Sequence, residues 1–183
     1  MKNFLRAFFF VVTVGGCIHT DETRQSFITV APEPTIEAWW LRAEFHPSQT
    51  EVRGIPIQAI RKTWCKASEF RRELFPADFQ KDVQRASFAV DGFFDGSKIK
   101  QTALVGAYES CSGEKGTFLL VIGWPRQGPP TIRFVQELPT KHQFAVVKAL
   151  PDATILVVEC MDCGNYTRYK WDRSNREFVW VAD

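Results

Sequence analysis

A chain of 183 residues, 45% hydrophobic, has room for one well-packed domain. Its 23 Lys and Arg face 21 Asp and Glu, and residues 1–16 hold two of the basic groups, Lys2 and Arg6, and no acid. The remainder is therefore balanced at 21 against 21. This argues against a basic stripe tracking phosphates, so no nucleic-acid partner is expected.

Behind Lys2 and Arg6 runs the apolar stretch Ala7–Val14, closed by Gly15, Gly16 and Cys17. A basic start, a short apolar run and small residues at its end form a secretory signal. The run falls far short of the ~20 residues that a spanning helix needs. Val14-Gly15-Gly16-Cys17 resembles the bacterial lipobox. That resemblance implies a lipoprotein signal peptide over residues 1–16, lipid on the Cys17 thiol and cleavage ahead of it. Ordinary secretion with cleavage after Gly16, or an uncleaved anchor, would be the alternatives. Ile18 rather than Asp follows Cys17, which points to the outer membrane, with the protein facing the periplasm. Residues 17–35 read as the lipidated cysteine and a flexible tether reaching ~55–60 Å when extended. Within it, Phe27–Val30 could instead form an edge strand. Residues 36–183 form a single globular domain, mainly helical over 36–85 and mainly β over 86–183.

In chain order, Trp39, Trp40, Leu41 and Phe45 mark a short element packed under the domain. Gly54-Ile55-Pro56 looks like a helix start, because proline suits the first turn. Ile57, Ile60, Trp64, Ala67 and Leu74 then recur at helical spacing, with Arg61, Lys62, Lys66, Arg71 and Arg72 largely off that face. Pro76 ends this helix, and a second short one is expected through Arg85.

After Ala86, runs rich in Val, Ile, Thr and aromatics alternate with Gly, Asp, Asn and Pro turns. Strands are predicted near 87–91, 102–109, 117–123, 132–136, 143–148, 154–159, 166–171 and 177–181. The links are too short for crossover helices, so pairing should be antiparallel. Phe88-Ala89-Val90 matches Phe144-Ala145-Val146, and Leu104-Val105 matches Leu156-Val157. Cys111 and Trp124 then fall opposite Cys163 and Trp171. The expected fold is α+β: an N-terminal helical segment, then about eight antiparallel strands in two blade-like four-stranded meanders.

The stretch from Phe94 to Leu104, with Asp95-Gly96-Ser97-Lys98 at its turn, resembles the hairpin of FG-GAP or integrin-type propeller repeats. In that family, carboxylates at this hairpin wrap Ca²⁺, which wants six to eight oxygens. Here Ser97 and Gln101 replace carboxylates and Lys98 replaces a glycine. An ammonium there would oppose the ion, so neither metal nor other cofactor is expected. Asp-Gly is also simply a good turn.

With Cys17 lipidated, Cys65, Cys111, Cys160 and Cys163 remain, an even count suited to disulfides in an oxidising compartment. Three pairings are open; Cys160–Cys163 with Cys65–Cys111 is the expected one. Cys160-Met161-Asp162-Cys163 also matches the C-x-x-C of thiol oxidoreductases, but those place the first cysteine at a helix N-terminus. Here strands flank it on both sides. No histidine sits in a nucleophile or metal-ligand motif, so no catalytic residue is assigned. Trp124-Pro125-Arg126-Gln127-Gly128-Pro129-Pro130 is the candidate interaction loop, since Trp and Arg dominate interface hot spots. A rigid connection would be its plain alternative.

Together these readings predict a non-catalytic cell-envelope lipoprotein, held to the membrane by its lipid and binding a protein or an envelope component. One form would be an immunity protein against an envelope-targeted toxin. The alternative is an envelope enzyme, such as a thiol oxidoreductase using Cys160 and Cys163.

Overall fold

The computed structural model describes residues 26–30, 38–139, 143–159 and 166–181. The chain enters as strand β1 (Phe27–Val30), antiparallel to β2 (Ala43–His46), with a turn of 3₁₀ helix at Trp39–Leu41 between them. A small hairpin follows, β3 (Glu51–Val52) and β4 (Ile55–Pro56). Its two-residue turn puts Arg53 and Gly54 at φ 53° and 77°, the left-handed geometry whose twist suits paired strands. One helical turn, α1 (Ile57–Ile60), leads into β5 (Trp64–Glu69). Three 3₁₀ turns, at 72–74, 77–79 and 82–85, precede β6 (Ala89–Gly92). The rest is strand: β7 (Lys100–Ser110), β8 (Lys115–Trp124), β9 (Thr131–Leu138), β10 (Val146–Ala149), β11 (Ile155–Val158), β12 (Tyr166–Asp172) and β13 (Glu177–Val181).

Two larger sheets result. In one, β7, β8 and β9 follow in order while β5 and β6 share the far edge of β7. β6 pairs with its first half and β5 with its second. In the other, β10, β11, β12 and β13 form an antiparallel meander.

The expected α+β class is overturned: the described part is mostly β, with one short helical turn and no N-terminal helical segment. Ile57 and Ile60 sit on that turn, but the continuation of the same spacing to Trp64 and Ala67 has a different cause. Register along β5 and β7 runs Trp64 to Ser110, then Lys66 to Glu109, so Cys65 is the extra residue of a β-bulge. A bulge resets the alternation by one, and Trp64 and Ala67 therefore join the same buried cluster three positions apart. The bulged strand copies a helical period. Pro56 does stand ahead of a helix, but Arg61 is already extended and the chain is drawn off to pair with β7.

The two matched four-stranded blades are overturned too. The first sheet has five strands, one of them from the stretch read as helical, and two further two-stranded sheets exist. Equivalence also fails in register: Ala89 lies opposite Leu104, whereas Leu156 lies opposite Lys148 and not opposite Ala145. The repeated sequence words do not occupy repeated places.

The core has two compartments because β7 and β8 are buried on both faces. Ala103, Val105, Ala107, Leu119 and Val121 point to the larger one, shared with the inner face of the four-stranded sheet. Aromatics fill it. Trp39 stacks on Phe79 at 5.0 Å and meets Phe75 and Phe144 edge-on, while Phe88 stacks on Phe75 at 5.3 Å. Phe134 of β9 reaches Tyr169 and Phe178 of the other sheet. Leu104, Phe118, Leu120 and Ile122 point the opposite way, beneath the β3–β4 hairpin and α1. That hairpin is clamped by Arg53, whose guanidinium donates to both oxygens of the buried Glu69 carboxylate at 2.7 and 2.5 Å. Gly106 is required where β5 crosses β7, since a Cβ there would lie 2.3 Å from the Ser68 carbonyl.

Candidate functional site

Cys17, Cys160 and Cys163 lie outside the described residues, as do His19 and His142. Cys65 and Cys111 are joined by a disulfide, Cα to Cα 4.9 Å. The bulge aims Cys65 at the turn after β7, where the Cys111 N–H also donates to the Thr63 carbonyl at 2.9 Å. This bond fastens edge strand β5 to the sheet and does no chemistry of its own.

The hairpin between β6 and β7 is an internal hub. Asp95 is buried; its carboxylate accepts from the Ser97 N–H at 2.9 Å and from the Arg133 guanidinium at 2.6 Å. The Gln101 side-chain carbonyl accepts from the N–H groups of Phe94 and Asp95 at 2.9 and 3.3 Å. Burial pushes the pKa of Asp95 up, but hydrogen bonds involving Ser97, Gln101 and Arg133 outweigh it and hold the carboxyl below its ordinary value. Arg133 also lies 5.7 Å from the ring centre of Trp171. Where the propeller-type hairpin would carry a cation, this one has a guanidinium that ties the two sheets together.

Trp124 is drawn into the same end of the molecule. Its indole N–H donates to the Thr102 hydroxyl at 2.8 Å, and that hydroxyl donates to Asp91 at 2.7 Å. Its ring packs on the smaller core compartment. Trp124 is thus a fixed wall of the sheet, whereas Arg126 at the loop tip is exposed. The loop does not present the two side chains as one patch.

A scan of protein-family models, a search of curated proteins and a search of solved structures find no match to this chain. The site must be read from its own geometry.

The surface with the most binding character is the outer face of the four-stranded sheet. Cross-strand register sets Lys148, Leu156, Arg168 and Val181 in one row, with Lys170 and Val179 in the next. A groove of about 370 Å³ runs beside them, lined by Leu150, Pro151, Asp152, Thr154, Arg168, Lys170 and Val181. The Arg168 guanidinium covers the Tyr166 ring at 5.0 Å, and Lys170 meets Asp152 at 3.1 Å. The next row of the same face pairs Asp172 with Glu177, so cations and carboxylates occupy adjacent rows beside the groove. β13 ends the sheet, with Trp180 two-thirds exposed on it.

None of Lys148, Arg168, Lys170 and Trp180 was marked by sequence reasoning. A signal existed: Tyr166-Thr167-Arg168-Tyr169-Lys170-Trp171 places cations at every second position, the period of a half-exposed strand. Among the described residues, no group of three His, Cys, Asp or Glu is placed to hold a metal, and no helix is long and apolar enough to cross a membrane.

Proposed function

We propose that this protein is a lipid-anchored, non-catalytic binding protein of the bacterial cell envelope, and that the outer face of its four-stranded sheet holds another protein. The observation that carries the reading is the contrast in cover. β7 and β8 are roofed on both sides, while the face bearing Lys148, Arg168 and Lys170 is left open beside a groove. Among the described residues β13 pairs on one side only, with β12, and so offers an edge to an added strand. The flanking cations favour a carboxylate-rich one. The occupant is therefore an acidic, extended segment of a partner protein.

The anchor itself is proposed from the lipobox-like motif at Cys17. An immunity protein guarding the envelope against a delivered toxin is a specific form of this reading, tested by challenging a deletion strain with toxin-bearing neighbours.

The direct test places a photo-crosslinking amino acid at Val179 or at Arg126 in living cells. A discrete adduct from position 179, lost when Lys148→Glu and Lys170→Glu are added, is the expected result. Adducts from position 126 alone, or adducts indifferent to the charge reversals, would overturn it.

A further inference from the structure

We infer that the outward face of the β1–β2 pair, centred on Phe27 with His46 and Lys115, is the surface this protein lays against the bilayer. The inference rests on the proposed lipid at Cys17 and adds an orientation to it.

Chain length supplies the first argument. Only eight residues, 18–25, separate Cys17 from Ser26. Even fully extended they cover at most ~29 Å, about half the reach expected when the tether ran to residue 35. Ser26 is pinned to the domain. Its hydroxyl lies 2.7 Å from that of the buried Ser68 and 3.1 Å from that of Ser48, and it accepts from the Ser48 N–H at 3.2 Å. The end of β1 nearest the lipid is thus fixed on the body, and the body is held close to the membrane.

The surface around that fixed point has the matching chemistry. Phe27 is 53% exposed and stacks flat on His46, ring centres 4.4 Å apart. The Lys115 ammonium lies 3.5 Å from His46 Nδ1. Thr29 and Glu44 form the next row of the same face. An apolar ring beside an ammonium suits the boundary between acyl chains and anionic headgroups. The inner face, with Ile28 and Phe45, is buried in the core, so the patch cannot swing away independently.

A corollary fixes the other end. Lys115 begins β8 and Trp124 ends it, a span of ~30 Å along the strand. The loop carrying Arg126 therefore lies ~30 Å from the patch along β8.

The test uses the acylated, full-length protein on vesicles of phosphatidylethanolamine and phosphatidylglycerol carrying headgroup spin labels. Amide relaxation at Phe27, His46 and Lys115 should be enhanced several-fold over that at Arg126 and Gly96. Phe27→Ser should diminish the enhancement at His46 and Lys115 without altering the remaining spectrum. An acylated, vesicle-bound protein with uniform enhancement, or enhancement strongest at Arg126, overturns the orientation and leaves the anchor standing. A protein whose mass includes no acyl chain overturns both.

Discussion

In the five-stranded sheet β7 and β8 lie between two layers, with the aromatic compartment on one side and the β3–β4 hairpin with α1 on the other. The four-stranded sheet shares that aromatic compartment through its inner face, but its outer face meets solvent. Their sequences differ accordingly. Phe118-Leu119-Leu120-Val121-Ile122 is an unbroken apolar run, as a strand buried on both faces should be. Tyr166–Trp171 alternates instead. Cover, more than strand propensity, separates scaffold from presenting surface here.

The harshest way to test this contrast is to remove side chains from each sheet. Phe118→Ala should cost about 3–5 kcal/mol, because the ring is fully buried and its neighbours cannot all collapse into the void. Leu156→Ala, on the open face, should cost less than about 1 kcal/mol. Urea unfolding of both variants measures the difference, and equal losses would break the comparison.

Next in size is the disulfide. Replacing Cys65 and Cys111 together by Ala should lower stability by about 2–4 kcal/mol, as expected for a bridge closing a loop of this length. An unchanged denaturation midpoint would mean that β5 holds its place by backbone pairing and packing alone.

The hub joining the two sheets should respond to acid. The Asp95 carboxyl titrates below its ordinary value when folded. Its contribution is therefore fully present above the unfolded value of about 3.9 and is lost as pH falls through the lower, folded one. Arg133→Met should weaken the fold by about 1–2 kcal/mol at neutral pH and flatten part of the decline below about pH 4. Stability curves followed from neutral to strongly acidic buffer would sharpen the comparison. An identical acid limb in the variant would remove Arg133 from the account.

The smallest effect belongs to the open face. Lys148→Glu and Lys170→Glu should each leave stability within about 0.5 kcal/mol of the parent while together abolishing the proposed partner's crosslink. A large loss of stability from either would make that face structural.

The strands after Ala86 were legible because Gly, Asp, Asn and Pro punctuate runs of Val, Ile, Thr and aromatics. The stretch from Ile57 to Leu74 was not, because the bulge at Cys65 gives a strand three-residue spacing and no local property distinguishes it from a helical turn. The four residues of β1 were readable as an edge strand or as tether; what makes them a strand is β2, seventeen positions on where Ile28 meets Phe45. Order along the chain left three cysteine pairings open; the expected Cys65–Cys111 bridge is the one present among the described residues, brought together at that same bulge. The candidate loop at Trp124 and Arg126 was marked by residue type alone; the hydrogen bond that fixes the half-buried Trp124 on Thr102 depends on pairing across strands. The rows that join Lys148 of β10 to Arg168 and Lys170 of β12 depended on register between strands, which alternation within one strand only half reveals.

The divided edge of β7 also sets an order in time. β5 must wait for a partner that lies dozens of residues further along, and β7 in turn is completed by β8. A chain emerging N-terminus first, at ~5–20 residues per second, would carry Trp64 and Ala67 uncovered for seconds. Cys65 and Cys111 come within bonding distance only once β5 has docked, so the disulfide acts as a latch on a finished assembly. Amides of β7 and β8 should accordingly gain protection from exchange before the two thiols oxidise, and oxidation in advance of that protection would reverse the sequence of events.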